Sequence, residues 1–145
     1  MAINKKQIII VVGIILNADG KLLLSRRINN TEFPATNDKW EFVGGKIEFG
    51  EDPESAIVRE VLEETGLQVE VTRLLPKIFS NNWNNLEESK LQAIIISYEC
   101  KITGGALQET NFDPKIGELR FVPISELANY SLTHNVSEII KLLNT

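Results

Sequence analysis

Between Gly44 and Glu70 the chain carries eight acidic residues, and three of them, Glu60, Glu63 and Glu64, stand close enough to share one face of a helix. At roughly 100° per residue they fall within one arc of about 100°, while Ile57, Val58, Val61 and Leu62 take the broad opposite arc. The plain reading of such a run is a solvated surface. Against it, like charges on adjacent turns repel, at roughly 0.2–0.5 kcal/mol per i,i+4 pair. Only Arg59 supplies a cation inside the cluster. A divalent metal is the natural neutraliser. Carboxylate oxygens are hard ligands suited to Mg²⁺ or Mn²⁺, and Mg²⁺ commonly takes substrate phosphates into its remaining positions. The chemistry these residues suggest is metal-assisted work on a phosphate group.

Local signals say where the helix must run. Asp52 is an N-cap, Pro53 suits the first helical position, and Glu54 sits near the positive end of the dipole. Gly66 ends it. Upstream, Ile8–Leu16 and Lys21–Ser25 flank Asp19-Gly20, a hairpin signal that pairs the second strand back on the first. Residues 27–39 are polar and contain Pro34, so they read as a loop before a short strand, Trp40–Val43. Downstream the pattern predicts a strand over Val69–Phe79, a loop over residues 80–88, strands over Leu91–Tyr98 and Glu118–Val122, and a closing helix over Asn135–Leu143. Strands alternating with two helices predict an α/β (α+β) domain with a mixed sheet.

The rest of the composition narrows the classes. With 145 residues and no repeat or linker, residues 1–145 read as one domain, able to bury roughly two-thirds of its unfolded surface. A net charge of −5 opposes binding to a nucleic acid polymer, which calls for a basic face. Ile8–Leu16 is too short to span a bilayer and reads as a buried strand, so no membrane is expected. Cys100 stands alone, and the N-terminus does not read as a secretion signal; the expectation is a cytoplasmic protein. Cys100 itself reads as packing.

The segment resembles the Nudix hydrolase signature, G-x5-E-x7-R-E-U-x-E-E-x-G-U with U a bulky aliphatic residue. Gly45, Glu51, Arg59, Glu60, Val61, Glu63, Glu64, Gly66 and Leu67 fall at every required spacing. Seven fixed residue types at roughly 5–7% background each make a chance match rarer than about one in a million. That outweighs the solvated-surface reading. "VVGIILNADGKLLLSRR" and "GELRFVPISEL" resemble the family's first hairpin and its late strand-to-helix passage. "WEFVGGKIE" is similar to the MutT-type branch, which cleaves nucleoside triphosphates to monophosphate and pyrophosphate. One departure is Val43, where that branch usually carries proline.

The resemblance implies an α/β/α sandwich with a loop–helix–loop against a mixed sheet. It implies Glu60 and Glu64 as principal metal ligands, Glu63 completing the cluster through metal or water, and the Gly45 carbonyl as a further ligand. Glu51 would sit near the metal or brace Arg59. For the catalytic base it offers a glutamate of the box, such as Glu63, or an acid on a separate loop, where Asp113 and Glu109 are the candidates. Asp113 also reads as a turn residue before Pro114. Arg27 matches a phosphate-binding arginine of the MutT-type branch, and guanidinium forks suit phosphate; the alternative is that Arg26 and Arg27 are solvated edge charges. Lys46, beside the metal loop, is a second phosphate candidate. Asn135 lies where that branch reads a base, with an amide that offers donor and acceptor, and reads equally as an N-cap. His134, the sole histidine, reads as a solvated loop residue. Trp40 reads as core cover, and Trp83 or Phe79 as packing or as a base stack.

The expected function is therefore Mg²⁺-dependent hydrolysis of a nucleoside triphosphate, with Mn²⁺ as a possible substitute and an oxidised purine nucleotide as one form of substrate. The alternatives are an ADP-ribose or other nucleoside diphosphate sugar pyrophosphatase, and a non-catalytic nucleotide-sensing module. The expected partner is a small nucleotide, bound by a monomer or a homodimer.

Overall fold

The structure, a computed structural model, describes residues 4–31, 33–84, 89–108, 113–133 and 135–144. Its elements in chain order are β1 (Asn4–Leu16), β2 (Leu22–Arg27), β3 (Trp40–Glu41), β4 (Val43–Lys46), α1 (Pro53–Thr65), β5 (Leu67–Leu74), β6 (Phe79–Asn84), β7 (Ser89–Gly105), β8 (Ile116–Val122) and α2 (Val136–Lys141). Short 3₁₀ turns cover Pro34–Thr36, Ile124–Asn129 and Leu142–Asn144.

Among the described residues the strands form one mixed sheet. β1 and β7 run parallel in an unbroken register from Asn4↔Ser89 to Leu16↔Lys101, and the other pairings are antiparallel. The Asp19-Gly20 hairpin forms: Gly20 takes φ +74°, and the Asn17 side chain accepts from the amides of Asp19 and Lys21. Alternation along β1 sends Val11 and Ile15 to one face of the sheet, where α1 packs Ala56, Ile57 and Val61 against them. Ile14 belongs to the opposite core, with Trp40, Leu127, Val136 and Ile139 of the α2 side. The sandwich expected from the resemblance is present. Cys100 is buried in the α1-side core and Trp40 in the other, where its ring meets Tyr130 edge-on at 5.4 Å.

Helix α1 starts and ends where its punctuation says. The Asp52 side chain accepts from the Ser55 amide, Pro53 opens the helix, and Gly66 closes it at φ 81°. Thr65 and Gly66 then lead directly into β5, with the Thr65 hydroxyl donating to the Val61 carbonyl. No described helix is long and apolar enough to cross a membrane.

Three expectations need correction. Val69–Phe79 is not one strand: the chain breaks around Pro76, which has no amide to donate, and resumes as β6. The expected loop begins inside that strand, because residues 79–84 pair with β7 from Phe79↔Ile95 to Asn84↔Lys90. Pairing to an available strand edge overrides the weak strand propensity of asparagine. Trp40–Val43 likewise splits at Phe42 into β3, which pairs with β2, and β4, which pairs with β1.

Candidate functional site

The Nudix-like segment folds as β4, a loop, and α1. Gly44 and Gly45 lie in β4 opposite Val12 and Val11, and the loop turns through Gly50 at φ 81°. Gly45 faces α1 so closely that a β-carbon there would lie 2.5 Å from the Glu60 carboxylate carbon. Glycine at this position is the space that lets Glu60 reach the strand.

Arg59 organises the charges. Its Nε donates to Glu51 Oε2 at 2.6 Å and its Nη2 to Glu51 Oε1 at 2.8 Å, a two-pronged pair. Its Nη1 donates to Glu60 at 3.1 Å and Glu63 at 3.2 Å. The Glu51 carboxylate also accepts from the Glu48 amide, so it braces the loop as well as the arginine. The Arg59 guanidinium holds the Glu51 carboxyl down at about 2. Of the two alternatives for Glu51, the brace is the one this geometry displays.

Glu60 and Glu64 are held differently. The Glu60 side chain is 14% exposed, against 58% for Glu63, so Glu63 faces solvent while Glu60 faces the strand. Burial raises the Glu60 carboxyl above the ordinary range, against the pull of Arg59. Glu64 is pushed up to about 9 by burial first, then by the nearby charges of Glu60 and Asp113, with Glu41 adding a smaller push; the Gly44 backbone opposes this with a hydrogen bond. Glu64 is thus the acid least compensated here: Arg59 pairs with Glu60 and Arg27 with Glu41, while the charges of Glu60 and Asp113 add to the burial of Glu64.

Among the described residues no three acidic, histidine or cysteine side chains stand as a ready metal cage. The donor set nevertheless fits a divalent ion. Glu60 and Glu64 offer hard oxygens beside the Gly45 cradle, and their raised carboxyls mark an electrostatic deficit that a dication relieves.

Beside this edge opens a cleft of about 800 Å³, lined by Gly44 and Gly45 of β4, Arg27 and Glu41, and reaching Asn81, Trp83 and Asn135. That volume suits a small-molecule ligand. Arg27 is held at it by Glu41, with Nε at 2.8 Å and Nη2 at 2.7 Å from Oε1. Arg26 instead pairs with Asp38 and Glu118. The edge arginines are therefore anchored rather than free in solvent, and only Arg27 lines the cleft. Lys46 is placed elsewhere. It is exposed, its carbonyl accepts from Arg59, and its side chain borders a separate depression with Lys6 and Phe49.

Asn135 lines the cleft in a left-handed conformation, φ 72°, and its side chain caps nothing. An N-cap needs extended backbone to aim its oxygen at the helix, so the capping alternative is overturned. Its Nδ2 donates to Asn81 Oδ1 at 2.8 Å instead. Asp113 turns the chain into β8, its carboxylate accepting from the Lys115 amide, while its charge reaches Glu64. The turn reading of Asp113 describes this placement. Glu109 and His134 lie outside the described residues.

Glu41 and Asn81 are functional candidates that the sequence reading passed over. Glu41 had a signal, a charge between core residues Trp40 and Phe42. Asn81 had a weaker one, its place in the alternation Phe79, Asn81, Trp83.

Comparison with known proteins agrees with this geometry. A family model described as NUDIX domain matches residues 6–143. A MutT-like protein of Streptomyces ambofaciens is 32% identical over 116 residues, covering 80% of this chain and 66% of the relative. The 8-oxo-dGTP diphosphatase of Escherichia coli K12 is 41% identical over 73 residues, 50% of this chain and 54% of the relative. The chain thus spans about half to two-thirds of the length of these curated relatives. The crystal structure of a MutT protein from Methanosarcina mazei Go1 superposes with a TM-score of 0.70 at 25% identity, covering 99% of this chain and 96% of that one. With the complete signature folded as β4, loop and α1, and the match running through almost all of its length, the chain belongs to the NUDIX domain family.

Proposed function

We infer that this chain is a nucleotide pyrophosphohydrolase of the cytoplasm that cleaves a nucleoside triphosphate to monophosphate and pyrophosphate. The observation that carries this reading is that Glu60 sits against Gly45 and Glu64 bonds to the Gly44 backbone, the two glycines that also line the cleft shared with Arg27. Glu60, Glu64 and the Gly45 carbonyl would hold Mg²⁺, or Mn²⁺ in its place, with Glu63 contributing through water. Held there, such an ion would supply Lewis-acid polarisation of the phosphoryl group and activation of the attacking water.

The protein's own groups do the rest. Glu51 keeps Arg59 in place, and Arg59 in turn fixes Glu60 toward the strand. Arg27, oriented by Glu41, keeps further N–H donors for phosphate oxygens. Asp113, on the loop ahead of β8 and near Glu64, is the candidate to take the proton of the attacking water, with Glu63 as the box alternative. The sheet and both helices supply a rigid frame for these positions.

The test is a panel of nucleoside triphosphates and nucleoside diphosphate sugars incubated with Mg²⁺, with products resolved. Monophosphate and pyrophosphate from a triphosphate are the expected products. Release of inorganic phosphate alone, or cleavage confined to the sugar conjugates, would overturn the reading.

A further inference from the structure

The far end of the cleft is lined by β6, a strand in which three of six residues are asparagine. Asn81 and Trp83 line the cleft, while Phe79, on the same face of the strand by alternation, is buried in the core beside them. Trp83 stands 6.2 Å from Phe33, ring centre to ring centre, and both rings line the cleft. The apolar wall suits a flat heteroaromatic group.

Within that wall lies the Asn81–Asn135 amide pair. The single bond from Asn135 Nδ2 to Asn81 Oδ1 leaves the Asn81 Nδ2 donors and the Asn135 Oδ1 acceptor with no partner among the described residues. An amide left half satisfied in a partly buried wall favours a ligand that completes it. The left-handed backbone at Asn135, a conformation asparagine tolerates, leaves its amide bonded to Asn81 instead of capping α2.

The pair is also well separated from the acidic edge. β1 and β7 lie between β4 and β6 in the sheet, so three strand spacings, roughly 14 Å, part Gly45 from Asn81 across the strands. Along the strands, Gly45 is level with Val11 and hence Ile96, whereas Asn81 is level with Ala93, a further offset of about 10 Å. One end of the cleft is charged and the other is aromatic and amide-lined, with Glu138 also among its lining residues, a polarity that suits a phosphorylated nucleoside.

On this basis, and resting on the proposed function, we propose that Asn81 is a specificity-determining residue that, hydrogen-bonded to Asn135, reads a nucleobase edge presenting a donor beside an acceptor. Asn135 alone offers one amide. The coupled pair fixes the orientation of both, so a base with the wrong edge leaves a buried donor or acceptor unpaired.

The experiment is calorimetric titration of triphosphates of adenine, guanine, cytosine, uracil and 8-oxoguanine, without divalent metal so that none is cleaved. It compares wild type, Asn81→Ala, Asn81→Asp, Asn135→Ala and the Asn81→Ala/Asn135→Ala double variant. Wild type is expected to separate the bases by about tenfold or more. Each single variant should compress that spread to a few-fold, and the double variant should compress it no further, because the pair acts as a unit. Asn81→Asp keeps the shape but removes the donor, so it separates reading from packing. A preserved spread in Asn81→Asp and Asn81→Ala, an equal loss for every base, or no spread in wild type overturns the proposal. Cleavage with Mg²⁺ is assayed separately: failure to cleave any triphosphate removes the proposed function, while the calorimetric ratios still judge Asn81.

Discussion

The Glu60 carboxylate occupies the space that a side chain on residue 45 would need: a β-carbon there would stand 2.5 Å from both its carbon and its Oε1. A single missing methyl group therefore links β4 to the acidic face of α1.

Gly45→Ala is the direct test of that relation. The added methyl must push Glu60 off the strand, and a displacement on the scale of an ångström costs about a hundredfold in rate. Steady-state hydrolysis should fall by that order, while far-UV circular dichroism stays native. Unchanged turnover would mean that the Glu60 position does not matter to the chemistry.

Glu60→Gln and Glu64→Gln keep the side-chain shape and remove the charge. Turnover at saturating Mg²⁺ is expected to drop by orders of magnitude with folding intact. Metal-free Glu64→Gln should also melt no lower than wild type, since burial and neighbouring acids already oppose the Glu64 charge. Differential scanning calorimetry in chelator measures this, and a clear loss of melting temperature would show that the carboxyl is needed by the fold itself.

Acid should weaken the fold through Glu51. Its folded pKa is lowered from 4.5 to about 2 by Arg59 and the Glu48 amide, so the stabilisation is fully present above pH 4.5 and is lost as pH falls from 4.5 through 2. Urea melts between pH 2 and pH 6 should show this arm in wild type and a flatter one in Glu51→Gln. Parallel curves would show that the ion pair contributes nothing to acid sensitivity.

Burial pushes the Cys100 thiol up to about 12, so at pH 8 almost none is thiolate, and the sulfur lies in the α1-side core. A disulfide reagent should leave the native protein unlabelled and titrate one thiol after unfolding. Prompt labelling of the native protein would contradict the packing of β7 against α1.

What was legible in the sequence was local. The Asp52 cap, Pro53 and Gly66 act within a few residues, so α1 could be read to within a residue, and the Asp19-Gly20 turn set the β1–β2 hairpin for the same reason. The box glutamates follow from helix periodicity once α1 is placed. β6 was hidden because its backbone partners are on β7 rather than nearby in the chain, and its asparagines gave no propensity signal. Asn135 was ambiguous for the same reason. Its partner Asn81 is 54 residues away, and only the fold shows that its amide turns from the helix to the cleft.

That the acidic face of α1, seated on Gly45, holds a divalent metal is the core of the proposed function. The measurement that meets it most directly is titration with Mn²⁺ followed by electron paramagnetic resonance, comparing wild type with Glu64→Gln. Wild type is expected to remove Mn²⁺ from the free-ion signal at a defined stoichiometry, with Mg²⁺ competing, and Glu64→Gln to bind at least about tenfold more weakly. Equal binding by the two proteins would place the metal away from Glu64.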